Sequence, residues 1–233
     1  MQADKKVANK LFAVFILVIG LAVVAVALPR FRASINQIPV NTAVKQLTKN
    51  KILTDDGLEE LIKITKESSA IWDYSKYQND LRALLTHKAK LKGFFTQEGQ
   101  LLLKRAQQAT ERSLSQSPAD AHLWFQLARL KIAQQSDAKE IVSNLRLSML
   151  TGPNELHVII NRLKFSYFYF NHFESNEYDL LSSQTLTVWK VAKRQWSVVL
   201  RKQKPFLQIS KLILQKQHPE VFEEMVSIVE TTH

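Results

Sequence analysis

The chain has 233 residues, a formal net charge of +11 and a 45% apolar fraction, enough for one domain of roughly 100–200 residues with a buried core plus an anchor. The absence of cysteine excludes disulfide scaffolding, thiolate metal sites and cysteine nucleophiles. Only five Gly and six Pro punctuate the sequence, which argues against a turn-rich β fold and for long helices. The first 32 residues hold five basic side chains and one acid, so the remainder is basic in its own right, a balance suited to a membrane surface, an acidic polymer or an acidic partner.

Residues 1–10 form a short basic tail with Lys5, Lys6 and Lys10. Leu11–Leu28, LFAVFILVIGLAVVAVAL, carries no charge, and as a helix it covers about 27 Å, close to the hydrocarbon thickness of a bilayer. Pro29, Arg30 and Arg32 follow. The pattern predicts an uncleaved transmembrane anchor over 11–28. The rival is a cleavable signal peptide, for which Ala25-Val26-Ala27 supplies a small-x-small site. A basic tail ahead of a first span favours a cytoplasmic amino terminus and a soluble part outside, in the periplasm of a Gram-negative cell.

Residues 29–40 read as a linker, and 41–233 as one helical soluble domain. Helices are predicted over 40–48 and 54–66, the second started by Thr54-Asp55-Asp56 and striped by Leu58, Leu61, Ile62 and Thr65. Ser68 and Ser69 break that pattern. A longer helix is predicted over 70–92, with Trp72, Tyr77, Leu81, Leu84 and Leu85 as its stripe and Gly93 as its stop, and another over 96–114. In Ser117-Pro118-Ala119-Asp120 the expectation is Ser117 as cap, Pro118 at the first helical position and Asp120 in a capping box. Helices over 118–135 and 137–150 follow, ended by Thr151-Gly152-Pro153.

Pro118 and Pro153 lie 35 residues apart, near the 34-residue period of tetratricopeptide helix–turn–helix repeats. Trp124, Leu127 and Ala128 fall where such repeats place an aromatic, a leucine and a small residue, while Ile141, Leu145 and Ser148 fit the second helix less well. The unit at 118–153 is therefore tetratricopeptide-like, with degenerate neighbours. Further helices are predicted over 154–173, 175–202, 206–217 and 219–229. In the aromatic run, Phe165, Phe168 and Tyr169 share one predicted face as core, leaving Tyr167 and Phe170 over. The fold class is all-α: a transmembrane helix followed by a tetratricopeptide-like helical-hairpin domain.

His87, His122, His157, His172, His218 and His233 show no HExxH motif and no i, i+4 pair, so metal ligation has no support. Asp55/Asp56, Glu59/Glu60 and Glu223/Glu224 sit at or near helix starts, where acids complement the helix dipole. No phosphate loop, nucleophile elbow or kinase signature is present, and no cofactor is expected. The segment 190–216 holds eight Lys and Arg and no acid. On a helix, Trp189, Ala192, Trp196, Val199 and Leu200 make its apolar face, and Lys190, Arg194, Ser197, Arg201 and Lys204 the opposite one. Lys190, Arg194, Arg201 and Lys204 are thus a candidate strip for anionic lipid, acidic polysaccharide or an acidic partner; nucleic acid is the weaker option.

SPADAHLWFQLARLKIAQ (Ser117–Gln134) and LRLSMLTGPNE (Leu145–Glu155), together with the leading span, resemble the VpsP-like family of membrane-anchored proteins associated with bacterial exopolysaccharide or capsule biosynthesis. The resemblance covers about 40 residues and rests on helix-packing motifs. It implies a non-catalytic accessory protein of the inner membrane, beside the polysaccharide machinery, and carries over no catalytic residue. Trp124, Leu127 and Arg146 are the candidate repeat surface for protein partners. The alternative is a general tetratricopeptide-like assembly factor of another envelope complex; an enzyme of unrecognised type is a third reading.

Overall fold

The computed structural model describes residues 2–49 and 53–231. Among these residues there is no strand; most lie in eleven α-helices: α1 (Gln2–Asn36), α2 (Ile38–Thr48), α3 (Asp55–Ile71), α4 (Ser75–Lys92), α5 (Gln97–Gln116), α6 (Ala121–Ala133), α7 (Ala138–Thr151), α8 (Leu156–Phe168), α9 (Tyr178–Lys202), α10 (Lys204–Leu214) and α11 (Pro219–Thr231). The soluble part, expected as one domain over 41–233, divides within α5. The two compact units are Met1–Ala109 and Thr110–His233.

In the first unit, α1 contains one helix, Phe12–Asn36, long and apolar enough to cross a membrane, and every residue from Phe12 to Arg32 is exposed. The expected linker over 29–40 is not there. Pro29 removes one backbone donor without ending the helix, α1 continues to Asn36, and a single buried residue, Gln37, joins it to α2. Pro39 sits in the first turn of α2, where its missing N–H costs nothing.

Thr54 caps α3 by accepting from Gly57 N at 3.3 Å. Ser68 and Ser69 do not break α3; both are helical and buried. Small side chains there keep the helix surface low where α1 and α4 pack on α3. The helix predicted over 70–92 begins only at Ser75, because Trp72 (φ −142°, ψ 108°) and Tyr74 (φ −114°, ψ 128°) are extended. Tyr77, Leu81, Leu84 and Leu85 form the buried stripe as expected, whereas Trp72 lies outside the helix. Gly93, at φ +87°, ends α4 in a conformation that favours glycine. Lys92 meets Asp55 at 2.8 Å, and buried Lys88 reaches Glu59, so ion pairs fasten the end of the α3–α4 hairpin. The Lys92 hydrogen bond holds the Asp55 carboxyl below its ordinary value.

In the second unit, α6 and α7 form the expected hairpin, with α6 starting later and ending earlier than predicted and α7 within one residue of its expected bounds. Its cap differs from the expectation. Pro118 and Ala119 are in a turn, and Asp120 is the N-cap, accepting from Leu123 N at 3.0 Å. The hairpin closes tightly at its open end. Ser148 Oγ donates to Ala121 O at 2.7 Å, and a Cβ on Gly152 would lie 2.5 Å from Ala121 Cβ.

Of the aromatic face predicted for α8, Phe165 and Tyr169 are half-buried and pack against the core, but Phe168 is exposed. The two residues left over, Tyr167 and Phe170, are more deeply buried. Tyr167, Phe170 and Phe173 are buried, whereas Phe168 is 52% exposed. Within α8 the core face is the one that carries Leu163 and Tyr167, not Phe168; the helix ends at Phe168 and a 3₁₀ turn follows over 170–172, so the 3.6-residue period does not carry on to Phe170. The buried stripe is Ile159, Arg162, Leu163, Ser166 and Tyr167. Tyr167 meets Trp196 and Phe206 edge-on, with ring centroids 5.4 and 5.2 Å away, and its hydroxyl lies 2.9 Å from Thr185 Oγ1 and 3.2 Å from Ser210 Oγ. Burial pushes that phenol up to about 12.

Candidate functional site

The outer face of α7 is bordered by two clefts of about 420 Å³ each that share Lys139 and Ser143. One is closed by Arg146 together with Asn171, His172, Phe173, Glu174 and Glu177. The other is closed by Leu127 and Lys131 with Glu111, Glu140 and Asn144. Asp137 caps α7 by accepting from Lys139 N at 2.8 Å, which fixes the first turn and the base of both clefts.

Glu177 organises the first cleft. Its Oε1 accepts from Arg146 Nη1 at 3.1 Å, and its Oε2 accepts from Glu174 N at 2.9 Å in a capping box. In the second, Lys131 Nζ donates to Glu140 Oε2 at 2.7 Å across the hairpin. Both clefts therefore present paired charges of both signs around an apolar floor, Val142 in one and Leu127 in the other.

Of the predicted repeat surface, Arg146 and Leu127 thus lie on opposite sides of α7. Leu127 is largely buried with Leu114 and Leu123. Trp124 packs against that cluster and donates its indole N–H to Pro118 O at 2.8 Å, tying α6 to its own entry turn. It touches neither cleft.

The basic strip is broken as a single face. Ala192, at φ −142° and ψ 33°, kinks α9. Past the kink Ser197, expected on the solvent side, is buried, while Val198 is exposed. Lys190, Arg194 and Lys204 remain exposed, and Arg201 is half-buried and engaged. Lys193 is neutralised from another helix. Glu224 of α11 accepts from Lys193 Nζ at 2.6 Å and from the Trp189 indole at 2.7 Å. These two donors hold the Glu224 carboxyl below its ordinary value.

Arg162 was passed over in the sequence. It is fully buried on α8, yet no carboxylate hydrogen-bonds to it. Its guanidinium donates to Ser148 O at 2.7 Å, Gly152 O at 3.0 Å, Pro153 O at 3.3 Å and Gln184 Oε1 at 2.5 Å. It thereby adds a second donor to carbonyls at the end of α7, which also accept from Gly152 N, Glu155 N and Gln184 Nε2, and binds α7, α8 and α9 together. Burial pushes the guanidinium down to about 10, partly offset by Glu155, so it stays charged at neutral pH. The available signal was its place in the stripe 159, 162, 163, 166.

Among the described residues no three His, Asp or Glu side chains converge as metal ligands. His122 and His157 face each other with ring centroids 5.3 Å apart, and His233 lies outside the described residues. No family model, curated protein or solved structure matches the chain.

Proposed function

We propose that the chain is a membrane-anchored, non-catalytic adaptor whose second unit grips a partner protein over the outer face of α7. The observation that carries this reading is α1: an apolar helix exposed from Phe12 to Arg32 that runs without a linker into a helical body. Such a surface is stable in lipid and a liability in water. The α7 face supports the adaptor part, since mixed-charge clefts around an apolar floor suit specific protein contact. The buried charged groups Arg162 and Lys88 have structural work: Arg162 braces a helix end, and Lys88 joins two helices, as the exposed Glu224 also does.

The process is proposed on the VpsP-like resemblance: exopolysaccharide or capsule assembly at a bacterial inner membrane, with the soluble part in the periplasm. The test is a deletion strain complemented by the wild-type chain or by Lys139→Glu/Arg146→Glu. The deletion is expected to lower polymer yield, and the variant to fail in rescue while accumulating normally in the membrane. Normal polymer yield and chain length in the deletion strain sink this reading. Full rescue by the variant sinks the α7 face.

A further inference from the structure

The short extended link between α3 and α4 carries an aromatic stack at the foot of the first unit. Alternate residues of an extended segment point the same way, so Trp72 and Tyr74 lie face to face, centroids 4.5 Å apart and planes within 4°. Tyr77 meets both edge-on, at 5.8 and 5.4 Å. The stack is fixed to α1 at two heights. Arg30 lies over the Trp72 ring, 5.5 Å from its centroid, and Ser34 Oγ is 3.2 Å from the Tyr77 hydroxyl.

Those contacts set the level of the stack along the anchor. Arg30 is two residues past Leu28, the end of the uncharged run, and Ser34 is six past it. At the helical rise these are about 3 Å and 9 Å. The headgroup layer outside the hydrocarbon is about 5–8 Å thick on each side. With α1 in a bilayer, Trp72 falls inside that layer and the Tyr77 hydroxyl at its outer edge. Tyr77 is buried and serves packing, but Tyr74 is 40% exposed, Ile71 44%, Ile35 48% and Phe31 62%. Apolar and amphipathic rings at this depth, beside the cations Arg30 and Arg32, match what headgroups and upper acyl chains accept. The only acid in 30–40 or 71–77 is Asp73, which accepts from Gln78 Nε2 at 3.2 Å.

From this we infer that Trp72 and Tyr74, with Ile71 and Phe31, seat the first unit in the phospholipid headgroup layer of the same leaflet from which α1 emerges, holding the soluble part against the membrane instead of tethering it above. The inference rests on the anchor reading. A stack of rings clamped to a continuous helix leaves no free segment over which the unit could swing away.

The lack of cysteine makes the test direct. Single-cysteine variants Val23→Cys, Ile71→Cys, Tyr74→Cys and Phe95→Cys are labelled with an environment-sensitive fluorophore. Each full chain is then reconstituted in phosphatidylethanolamine–phosphatidylglycerol vesicles. Phe95, exposed beyond the far end of α4, is the solvent reference. The label at 74 is expected to emit to the blue of that at 95. It should also be quenched more by lipid nitroxides near the headgroup than by those deep in the chains. The label at 23 should show the reverse order. Position 71 reports the same depth with the Tyr74 ring intact. Water-like emission without lipid quenching at both 71 and 74, with 23 quenched by deep nitroxides, overturns the seating and leaves the anchor standing. Absence of quenching at 23 overturns the anchor itself.

Discussion

Arg162 and Gly152 show how the end of α7 is held. A buried guanidinium with five oxygen acceptors, Ser148 Oγ among them, is held by their engagement, since each unpaired buried polar group costs about 1–3 kcal/mol. Arg162→Met leaves Gln184 Oε1 without its donor and takes one of two donors from Ser148 O, Gly152 O and Pro153 O, which keep Gly152 N, Glu155 N and Gln184 Nε2. It is expected to lower stability by about 3 kcal/mol in urea unfolding of the detergent-solubilised chain. Arg162→Lys should recover only part, because one ammonium cannot span the same fan of acceptors. Gly152 is needed for space, not for its backbone, which is extended at φ −150°. A methyl group there meets Ala121 Cβ at 2.5 Å, so Gly152→Ala should cost about 1–3 kcal/mol by the same measurement. Periodicity puts Arg162 in a buried stripe but shows none of its partners, and it says nothing of Gly152. An arginine inside an apolar stripe reads as a surface residue until a helix end is brought over it.

At the scale of elements, helix existence was legible and helix faces were less so. Asp137, Gly93 and Gly152 mark ends that the structure keeps, because caps and stops act through the residues beside them. The apolar face expected of α9 is buried, with Trp189, Trp196 and Leu200 in the core and Ala192 and Val199 against it. The departures are single residues, Phe168 at the end of α8 and Ser197 past the Ala192 kink. The junction of α9 with α11 has a consequence in acid. Glu224, with its carboxyl held below the ordinary value of 4.5, contributes stability that is complete above that value and is lost as pH falls through the folded one. An acid titration followed by tryptophan fluorescence should therefore show a step below about pH 4.5 as the Trp189 contact is released. Glu224→Gln should remove the step, because its amide oxygen can still accept from the indole while the ion pair with Lys193 is gone. A step that persists in the variant assigns it elsewhere.

For the molecule as a whole, the anchor is the decisive prediction. Two charges placed in the centre of a span cost about 2.5–3.5 kcal/mol each on insertion scales. Val18→Arg/Ala22→Arg is accordingly expected to move the chain from the carbonate-resistant membrane fraction to the soluble or aggregated one, while either single change leaves most of it in place. Unchanged fractionation of the double variant contradicts a spanning α1. The strip Lys190, Arg194, Arg201, Lys204 and the surface Trp124, Leu127, Arg146 show the other side. Each was chosen as a set by spacing on one helix or hairpin, and each is divided by its neighbours: Arg201 is half-buried and engaged, Leu127 is packed inside, and Arg146 is paired with Glu177.

The amino-acid sequence alone determined the all-helical class, the long uncharged run and the capped helix ends, because helix formation, hydropathy and capping depend on residues within a few positions of one another. Only the tertiary structure decided that the chain leaves α1 without a linker, that α5 carries the division between two units, and that Arg162, Trp72 and Glu224 act as joints. Those three joints depend on partners 9 to 42 residues away along the chain, brought together by packing. No local pattern records contacts of that kind, since the same side chain reads as surface or as core according to what folds over it.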